Sequence, residues 1–169
     1  MTRRRAGWLV EWARAVACAC AGAALLLAAP AQAAPADNAG PPAVVTLTQV
    51  PCQFVESESG GDRGFKSRRK EDCERINGRT GAERLTIAKP LELKPGRYIF
   101  RVSNRSVPYE VGFWLRGAGV IGRARLPSVS GGELAPGATK DYQIELVPGE
   151  YVYSCPLNTT PDYRLVVKN

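Results

Sequence analysis

The sequence has 169 residues, with 23 Lys and Arg against 16 Asp and Glu, and a formal net charge of +7. It contains no histidine, and its one methionine is Met1. The absence of histidine excludes a Ser-His-Asp or Cys-His mechanism, and no run of interleaved basic and aromatic residues indicates nucleic-acid binding. We therefore expect neither an enzyme nor a nucleic-acid-binding protein.

Residues 1–33 have the pattern of a secretory signal peptide. The basic start "MTRRRAGWLVEWARA" leads into an Ala- and Leu-rich run that ends in "AQAA", a small-x-small pattern typical of a cleavage point. The alternative is a retained membrane anchor, but the uncharged stretch is broken by Pro30 and falls short of the ~20 apolar residues of a span. We expect cleavage after Ala33, no membrane span afterwards, and a periplasmic or secreted protein.

The remaining chain is expected to form one domain. Residues 34–42, "APADNAGPP", predict a flexible lead, and residues 43–169 suffice for a single core. Removal of residues 1–33 takes away four arginines and one glutamate, which lowers the net charge to +4. Three cysteines remain, Cys52, Cys73 and Cys155. An oxidising compartment favours their pairing, and an odd number leaves one over.

A strand and one short helix are predicted in the N-terminal half. "AVVTLTQV" is typical of a β-branched strand, and a polar loop follows it. The helix is expected between Ser67 as N-cap and Gly78 as the C′ residue. Its apolar stripe, Cys73 and Ile76, is too narrow to hold it by burial. A disulfide between Cys52 and Cys73 would tie this helix to the first strand and stabilise the fold by ~3 kcal/mol.

The chain from Leu91 onward is predicted to be all-β. Apolar and polar residues alternate along three segments, so that one face of each strand is buried. Pro-Gly turns precede strands at positions 95, 136 and 148, and the glycine-rich stretch "GAGVIGRARLPSVSGG" is expected to be a flexible loop. Short strands at this spacing favour a Greek-key β-sandwich. The buried alternating residues are expected to be Tyr98, Phe100, Val102, Tyr142, Ile144, Leu146, Tyr163, Leu165 and Val167.

Cys155 ends a strand in the segment "GEYVYSCPLNTTPDY". Tyr151, Tyr153 and Cys155 alternate and therefore share a face. If the tyrosines pack inward, the thiol also lies inward, at one end of the sandwich.

These motifs resemble the cupredoxin family over roughly residues 91–169. "LKPGRYIFRVSNRSVPYEV" is similar to the cupredoxin strand that leads through asparagine and proline to the first copper histidine. "GELAPGATKDYQIELVPGEYVYSC" resembles the paired Pro-Gly turns and the aromatic approach to the ligand cysteine, and "YRLVVKN" resembles the closing strand. The helix with its N-terminal disulfide is similar to azurin-type members. The resemblance implies a cupredoxin-like sandwich.

The differences from the family fall on the copper ligands. Tyr109 stands where the resemblance places the first histidine, and no residue corresponds to the axial methionine. The loop after the cysteine, where the second histidine is expected, offers Asn158, Thr159, Thr160 and Asp162. A type 1 copper site requires one thiolate and two imidazoles. A chain without histidine cannot build that site from its own residues.

Three interpretations of Cys155 remain open. It is a structural residue that fills the end of the sandwich, or it holds a non-standard metal with Glu110, Asp162 and Tyr109. Such a site would be a weaker copper, zinc or iron site, since oxygen donors do not give a blue-copper centre. In the third interpretation it is a redox thiol that pairs with another protein, or with Cys52 or Cys73, although no nearby cation is evident to lower its pKa.

The segment "SNRSVPYEVGFWLRG" carries candidate partner-binding residues. Tyr109, Trp114 and Arg116 belong to residue types that are common at binding hot spots, whereas Phe113 is expected in the core. The hypothesis from sequence is therefore an exported cupredoxin-like binding or accessory protein, with a periplasmic protein as possible partner and no conventional type 1 copper. The alternative is a copper-binding or electron-transfer protein that uses Cys155 with non-standard ligands.

Overall fold

The protein is represented by a computed structural model that describes residues 40–169. The predicted signal peptide at 1–33 and residues 34–39 of the predicted lead lie outside the described residues. Within the described part of the chain, neither helix has the length and apolar character needed to cross a bilayer. The strands are β1 Ala43–Val50, β2 Gln53–Phe54, β3 Leu91–Leu93, β4 Gly96–Asn104, β5 Val111–Gly117, β6 Val129–Leu134, β7 Thr139–Leu146, β8 Gly149–Ser154 and β9 Tyr163–Val167; the helices are α1 Lys70–Ile87 and α2 Gly119–Arg125.

Two sheets form the β-sandwich. The four-stranded sheet has the order β2-β1-β4-β7, and the five-stranded sheet has the order β3-β9-β8-β5-β6. β1 runs parallel to β4, while β4 and β7 are antiparallel. The chain crosses between the sheets from β4 to β5, from β6 to β7 and from β7 to β8, as expected for a Greek key. The predicted all-β sandwich with a helix near its N-terminal end is confirmed.

Aromatic side chains dominate the core between the sheets. The nine residues of the alternating pattern are buried except Tyr98, which is half-buried and packs against the core. Phe54 makes edge-to-face contacts with Phe113, Tyr153 and Tyr163 at ring-centroid distances of 6.1, 5.7 and 6.1 Å. Such pairs contribute beyond their buried area. The expectation that Phe113 is a core residue is confirmed.

The predicted bounds of the first helix are wrong. Ser67 is not its N-cap, because the Asp72 carboxylate accepts the backbone N–H groups of Arg68 and Arg69, and the helix begins at Lys70. Gly78 lies inside the helix. The helix continues to Ile87 and ends before Pro90, whose ring disfavours helical conformation in the preceding residue.

A buried salt bridge between Arg84 and Glu58 anchors the C-terminal half of α1. Arg84 and Glu58 have side chains only 2% and 1% exposed, and Arg84 Nη2 lies 2.5 Å from Glu58 Oε1. Arg84 also donates to the Cys52 carbonyl at 3.0 Å and to the Asn77 side chain. Tyr163 O–H donates to the same carboxylate at 2.5 Å. The ion pair between Arg84 and Glu58 thus holds α1 in place, together with the Cys52–Cys73 disulfide, which is present as predicted.

The expectation of a flexible loop at "GAGVIGRARLPSVSGG" is wrong for two of its segments. Gly119–Arg125 form α2, and the residues from Val129 enter β6. Gly117 and Gly122 approach so closely that a Cβ on Gly117 would lie 2.2 Å from the Gly122 carbonyl oxygen. Leu126 follows the helix and packs against the core. Contacts distant in the sequence therefore fix this helix.

We expect Arg84→Met to lower the free energy of unfolding by about 3–5 kcal/mol, because it leaves Glu58 charged and buried without its main partner. Urea denaturation followed by tryptophan fluorescence measures this change. Arg79→Met is the matched control, since Arg79 is an exposed arginine of the same helix, and its effect should stay within about 0.5 kcal/mol. Equal losses from both variants would contradict a special role for the buried pair.

Candidate functional site: the Cys155 end of the sandwich

Cys155 lies directly after β8, on the inward face that it shares with Tyr151 and Tyr153. All three side chains are buried, and the thiol belongs to the main hydrophobic core. Cys52 and Cys73 are bonded to each other, so Cys155 is the free cysteine of the described chain. The inward orientation predicted from alternation is confirmed.

Two backbone N–H groups point at the Cys155 sulfur. Gly112 N–H donates to Sγ at 3.3 Å, and Asn158 N–H donates at 3.2 Å. Burial raises the pKa of the Cys155 thiol, and these hydrogen bonds oppose the increase only in part. The group is therefore mainly a neutral thiol near pH 7 and a poor nucleophile, since the thiolate is the reactive form.

A buried amide network fixes the loop after Cys155. Asn158 Oδ1 accepts the Cys52 backbone N–H at 2.8 Å and lies 3.4 Å from Cys73 Sγ. Asn158 Nδ2 donates to the Val50 carbonyl at 2.9 Å and to Gln49 Oε1 at 3.3 Å. Gln49 Nε2 in turn donates to the Gly112 carbonyl at 2.7 Å. The network thus connects β1, through Gln49 and Val50, and β5, through Gly112, with the loop after Cys155 and with the Cys52–Cys73 disulfide.

Sequence reasoning missed the role of this network. Asn158 stood among the candidates only as one of several residues in the expected position of the second histidine. Gln49 was not considered, although it shares a strand face with Leu47 and is completely buried. A polar residue in the inward register of a strand is the signal that could have identified it.

The predicted oxygen ligands are engaged in other contacts. The Asp162 carboxylate accepts two hydrogen bonds from Arg116 Nη2, at 2.7 and 2.8 Å. Glu110 Oε1 accepts the Glu133 backbone N–H at 2.9 Å. Tyr109 O–H lies 3.3 Å from Ser67 Oγ and 3.7 Å from Cys73 Sγ, and burial raises its pKa.

These contacts do not assemble the predicted metal set around the thiol. Cys155, Glu110 and Asp162 form no group that could hold a metal ion, and the same holds for every set of three Cys, Asp or Glu side chains within residues 40–169. The donor set also does not fit type 1 copper, because the whole sequence has no imidazole.

Two of the three predicted partner-binding residues, Trp114 and Arg116, stack on each other, whereas Tyr109 contacts Ser67 and Cys73. The Arg116 guanidinium lies 3.9 Å from the Trp114 ring centroid and also donates to Ser154 Oγ at 3.1 Å. Arg116 is buried and Trp114 is half-buried. Arg116 Nε has no hydrogen-bond partner within the described residues. The buried Arg116 guanidinium therefore packs against one face of the Trp114 indole, and the indole is more exposed than the guanidinium.

An apolar groove of about 370 Å³ lies beside the Cys155 loop. Trp114, Pro156 and Leu157 line it, and Leu157 is 41% exposed. Its glycines lie on β5 and β6, and Gly112 has no room for a side chain, since a Cβ would lie 2.6 Å from the Gly131 carbonyl oxygen. We call this surface the Trp114 groove. Tyr109 does not line it.

No family model matches the chain, and no curated protein matches it. Its structure is similar to that of auracyanin B, with a TM-score of 0.48 and 13% identity over 78% of this chain and 93% of that chain. It is also similar to a multi-copper oxidase from Pediococcus acidilactici, with a TM-score of 0.38 and 12% identity over 83% of this chain. The chain spans only 28% of that oxidase.

The strand order of the two sheets confirms the predicted Greek-key β-sandwich. At these identities and TM-scores, neither similarity carries an inference about activity, metal or partner. We therefore base the function on the chain's own residues and distances.

We expect Cys155 to remain unreactive toward a thiol reagent at pH 8 until the protein unfolds, because it is buried and its pKa is raised. Asn158→Ala should accelerate the reaction by at least about tenfold, since it removes the side-chain bonds that fix the loop. The rate at which the reagent labels Cys155, measured with and without urea, tests this prediction. Thr159→Ala is the control, since its hydroxyl makes one long bond of 3.5 Å. Rapid labelling of the folded wild type would contradict the interpretation.

Proposed function

We propose that the chain is an exported, cupredoxin-like binding or accessory module that uses the Trp114 groove to hold an apolar segment of a partner protein. One observation carries the proposal: the Cys155 sulfur is enclosed by core side chains and by two backbone N–H groups. An end of the sandwich that is organised in this way is suited to rigid presentation of its surface.

The shape and composition of the Trp114 groove support a protein partner. Three glycines and Ser130 line the groove on β5 and β6, while Trp114, Pro156 and Leu157 supply apolar surface. A half-buried tryptophan supported by an arginine is typical of an interface anchor, which loses little entropy on binding. An apolar side chain of the partner would replace water against Trp114 and Leu157.

Rigidity of the walls adds to this support. Arg116 is held by Asp162 and Ser154 beneath the indole, and the loop with Leu157 is held through Asn158. Preorganised walls reduce the entropic cost of binding.

A second candidate function is copper binding or electron transfer through Cys155 with non-standard ligands. The two N–H donors to the sulfur favour it, because they stabilise a thiolate, the form that binds metals. Asp162 and Glu110, two of the predicted oxygen ligands, would first have to leave Arg116 and the Glu133 backbone N–H. This cost makes it the weaker candidate.

We expect purified protein to bind no stoichiometric Cu(II) and to give no intense band near about 600 nm, where copper-thiolate charge transfer absorbs in blue-copper sites. Visible spectroscopy and elemental analysis after dialysis measure this. A stoichiometric band that disappears in Cys155→Ser would overturn the first candidate and establish the second.

We expect a photo-crosslinking residue at position 157 to give a discrete cross-linked product in the compartment to which the protein is exported. The matched control carries the same residue at position 87, since Ile87 is also exposed, at 59%, but lies on α1. Trp114→Ala should reduce the product at 157 by about tenfold or more, the effect of losing a hot-spot side chain. Equal products at 157 and 87, or no effect of Trp114→Ala, would contradict the proposal.

A further inference from the structure

The most exposed apolar side chains of the described chain lie together on α2. Val120 is 86% exposed and Ile121 is 71% exposed, followed by Ile87 at 59%. Val120 and Ile121 are adjacent in the first turn of α2. Side chains this exposed protrude from the surface and do not line a cavity.

The surrounding structure holds this protrusion in place. Gly117 and Gly122 are in close backbone contact, and the Ala118 N–H donates to the Glu150 carbonyl at 2.8 Å. After the helix, Leu126 packs against the core. The exposure of Val120 and Ile121 is therefore a property of an anchored helix.

Two arginines without partners follow the apolar pair. Arg123 and Arg125 are exposed, and within residues 40–169 neither forms an ion pair or a side-chain hydrogen bond. The nearby Glu150 side chain is paired with Arg164 at 3.6 Å. The end of the molecule at α2 thus presents two apolar side chains beside two uncompensated positive charges. We call Val120, Ile121, Arg123 and Arg125 the α2 tip.

We propose that the α2 tip binds the surface of an anionic membrane, with Val120 and Ile121 inserted among the lipid headgroups and the two arginines in contact with lipid phosphates. Peripheral membrane binding takes two signals, apolar insertion and attraction to anionic lipids, and both are present here. Arginine stems can lie along apolar surface while their charged groups reach the headgroups.

The shape of the α2 tip favours a bilayer over an acidic protein. Val120 and Ile121 protrude, so a protein partner would need a complementary pocket that is also acidic. A bilayer accepts protruding apolar side chains without such a pocket.

The location of the α2 tip is compatible with the proposed function and does not depend on it. β5 begins beside Cys155, where Gly112 donates to the sulfur, and ends at Gly117 immediately before the α2 region. At about 3.3 Å per residue, these two glycines are roughly 17 Å apart. Trp114 lies three residues before Gly117, about 10 Å by the same rise, so the Trp114 groove and the α2 tip are separate surfaces.

Co-sedimentation with vesicles tests the proposal. The protein is purified after export, with its N-terminus established by mass spectrometry and identical in every variant. Vesicles contain either phosphatidylcholine alone or phosphatidylcholine with phosphatidylglycerol. We expect binding to the anionic vesicles only, with strong weakening between 0.1 and 1 M salt, over which the Debye length falls from about 10 to 3 Å.

Paired variants identify the surface. Val120→Ser/Ile121→Ser should weaken partition by at least about tenfold, and Arg123→Gln/Arg125→Gln by about thirtyfold, from roughly 1 kcal/mol per arginine near an anionic surface. The matched controls are Ile87→Ser and Arg79→Gln/Lys89→Gln. They remove an exposed apolar residue of α1 and two exposed cations, on α1 and just after it, that pair with no described side chain. These controls should bind like the wild type.

The outcomes are distinguishable from those of the groove experiments. No binding to anionic vesicles overturns the membrane proposal, as does binding that the α2 variants and the α1 controls reduce equally. A protein partner replaces the membrane proposal if the wild type binds an acidic protein but no vesicles, and if the α2 variants lose that protein binding. Cross-linking at position 157 reports on the Trp114 groove separately, so either proposal can fail alone.

Discussion

The buried ion pair between Arg84 and Glu58 is the interaction on which the organisation of the Cys155 end depends. Arg84 connects α1 to the Cys52 carbonyl and also donates to the side chain of Asn77, which lies on the same helix. Asn77 Nδ2 donates to the Thr159 carbonyl at 2.5 Å, within the loop that follows Cys155. Although burial raises the pKa of Glu58, its hydrogen bonds from Arg84, Tyr163 and Arg63 lower the pKa below its usual value. The carboxylate therefore stays charged, and so the helix stays docked against the loop.

Amide contacts within the protein fix the loop after Cys155. Asn158 makes side-chain contacts with Cys52, Val50 and Gln49 and uses its backbone N–H for the Cys155 sulfur. The side-chain amides of Asn158 and Gln49 are both hydrogen-bonded, which avoids the cost of an unpaired donor in this network. The network specifies one loop conformation.

The sequence predicted the features that depend on local pattern. Alternation placed Tyr142, Ile144 and Leu146 in the core, and a scarcity of apolar residues on α1 pointed correctly to a covalent tie through Cys73. Features that depend on distant contacts were not predictable in this way. In the sequence Arg84 looks like an ordinary surface arginine, because its partner Glu58 lies 26 positions away. The α2 helix is held by the hydrogen bond from Ala118 N–H to the Glu150 carbonyl and by the core contacts of Leu126. The oxygen ligands proposed for Cys155 failed to assemble for the same reason, since Arg116 had not been recognised as the partner of Asp162.

The two ends of the sandwich differ in the kind of surface that they present. At the Cys155 end, concave apolar surface is supported by buried polar groups, as with Trp114 on Arg116. At the α2 end, apolar side chains protrude beside arginines that no described side chain neutralises. Core packing alone does not account for the exposed side chains, because Val120 is 86% exposed, Ile121 71% and Leu157 41%. Contiguous exposed apolar patches mark interaction sites, which is why both surfaces are proposed as binding surfaces. The different shapes of the two surfaces argue for two different partners.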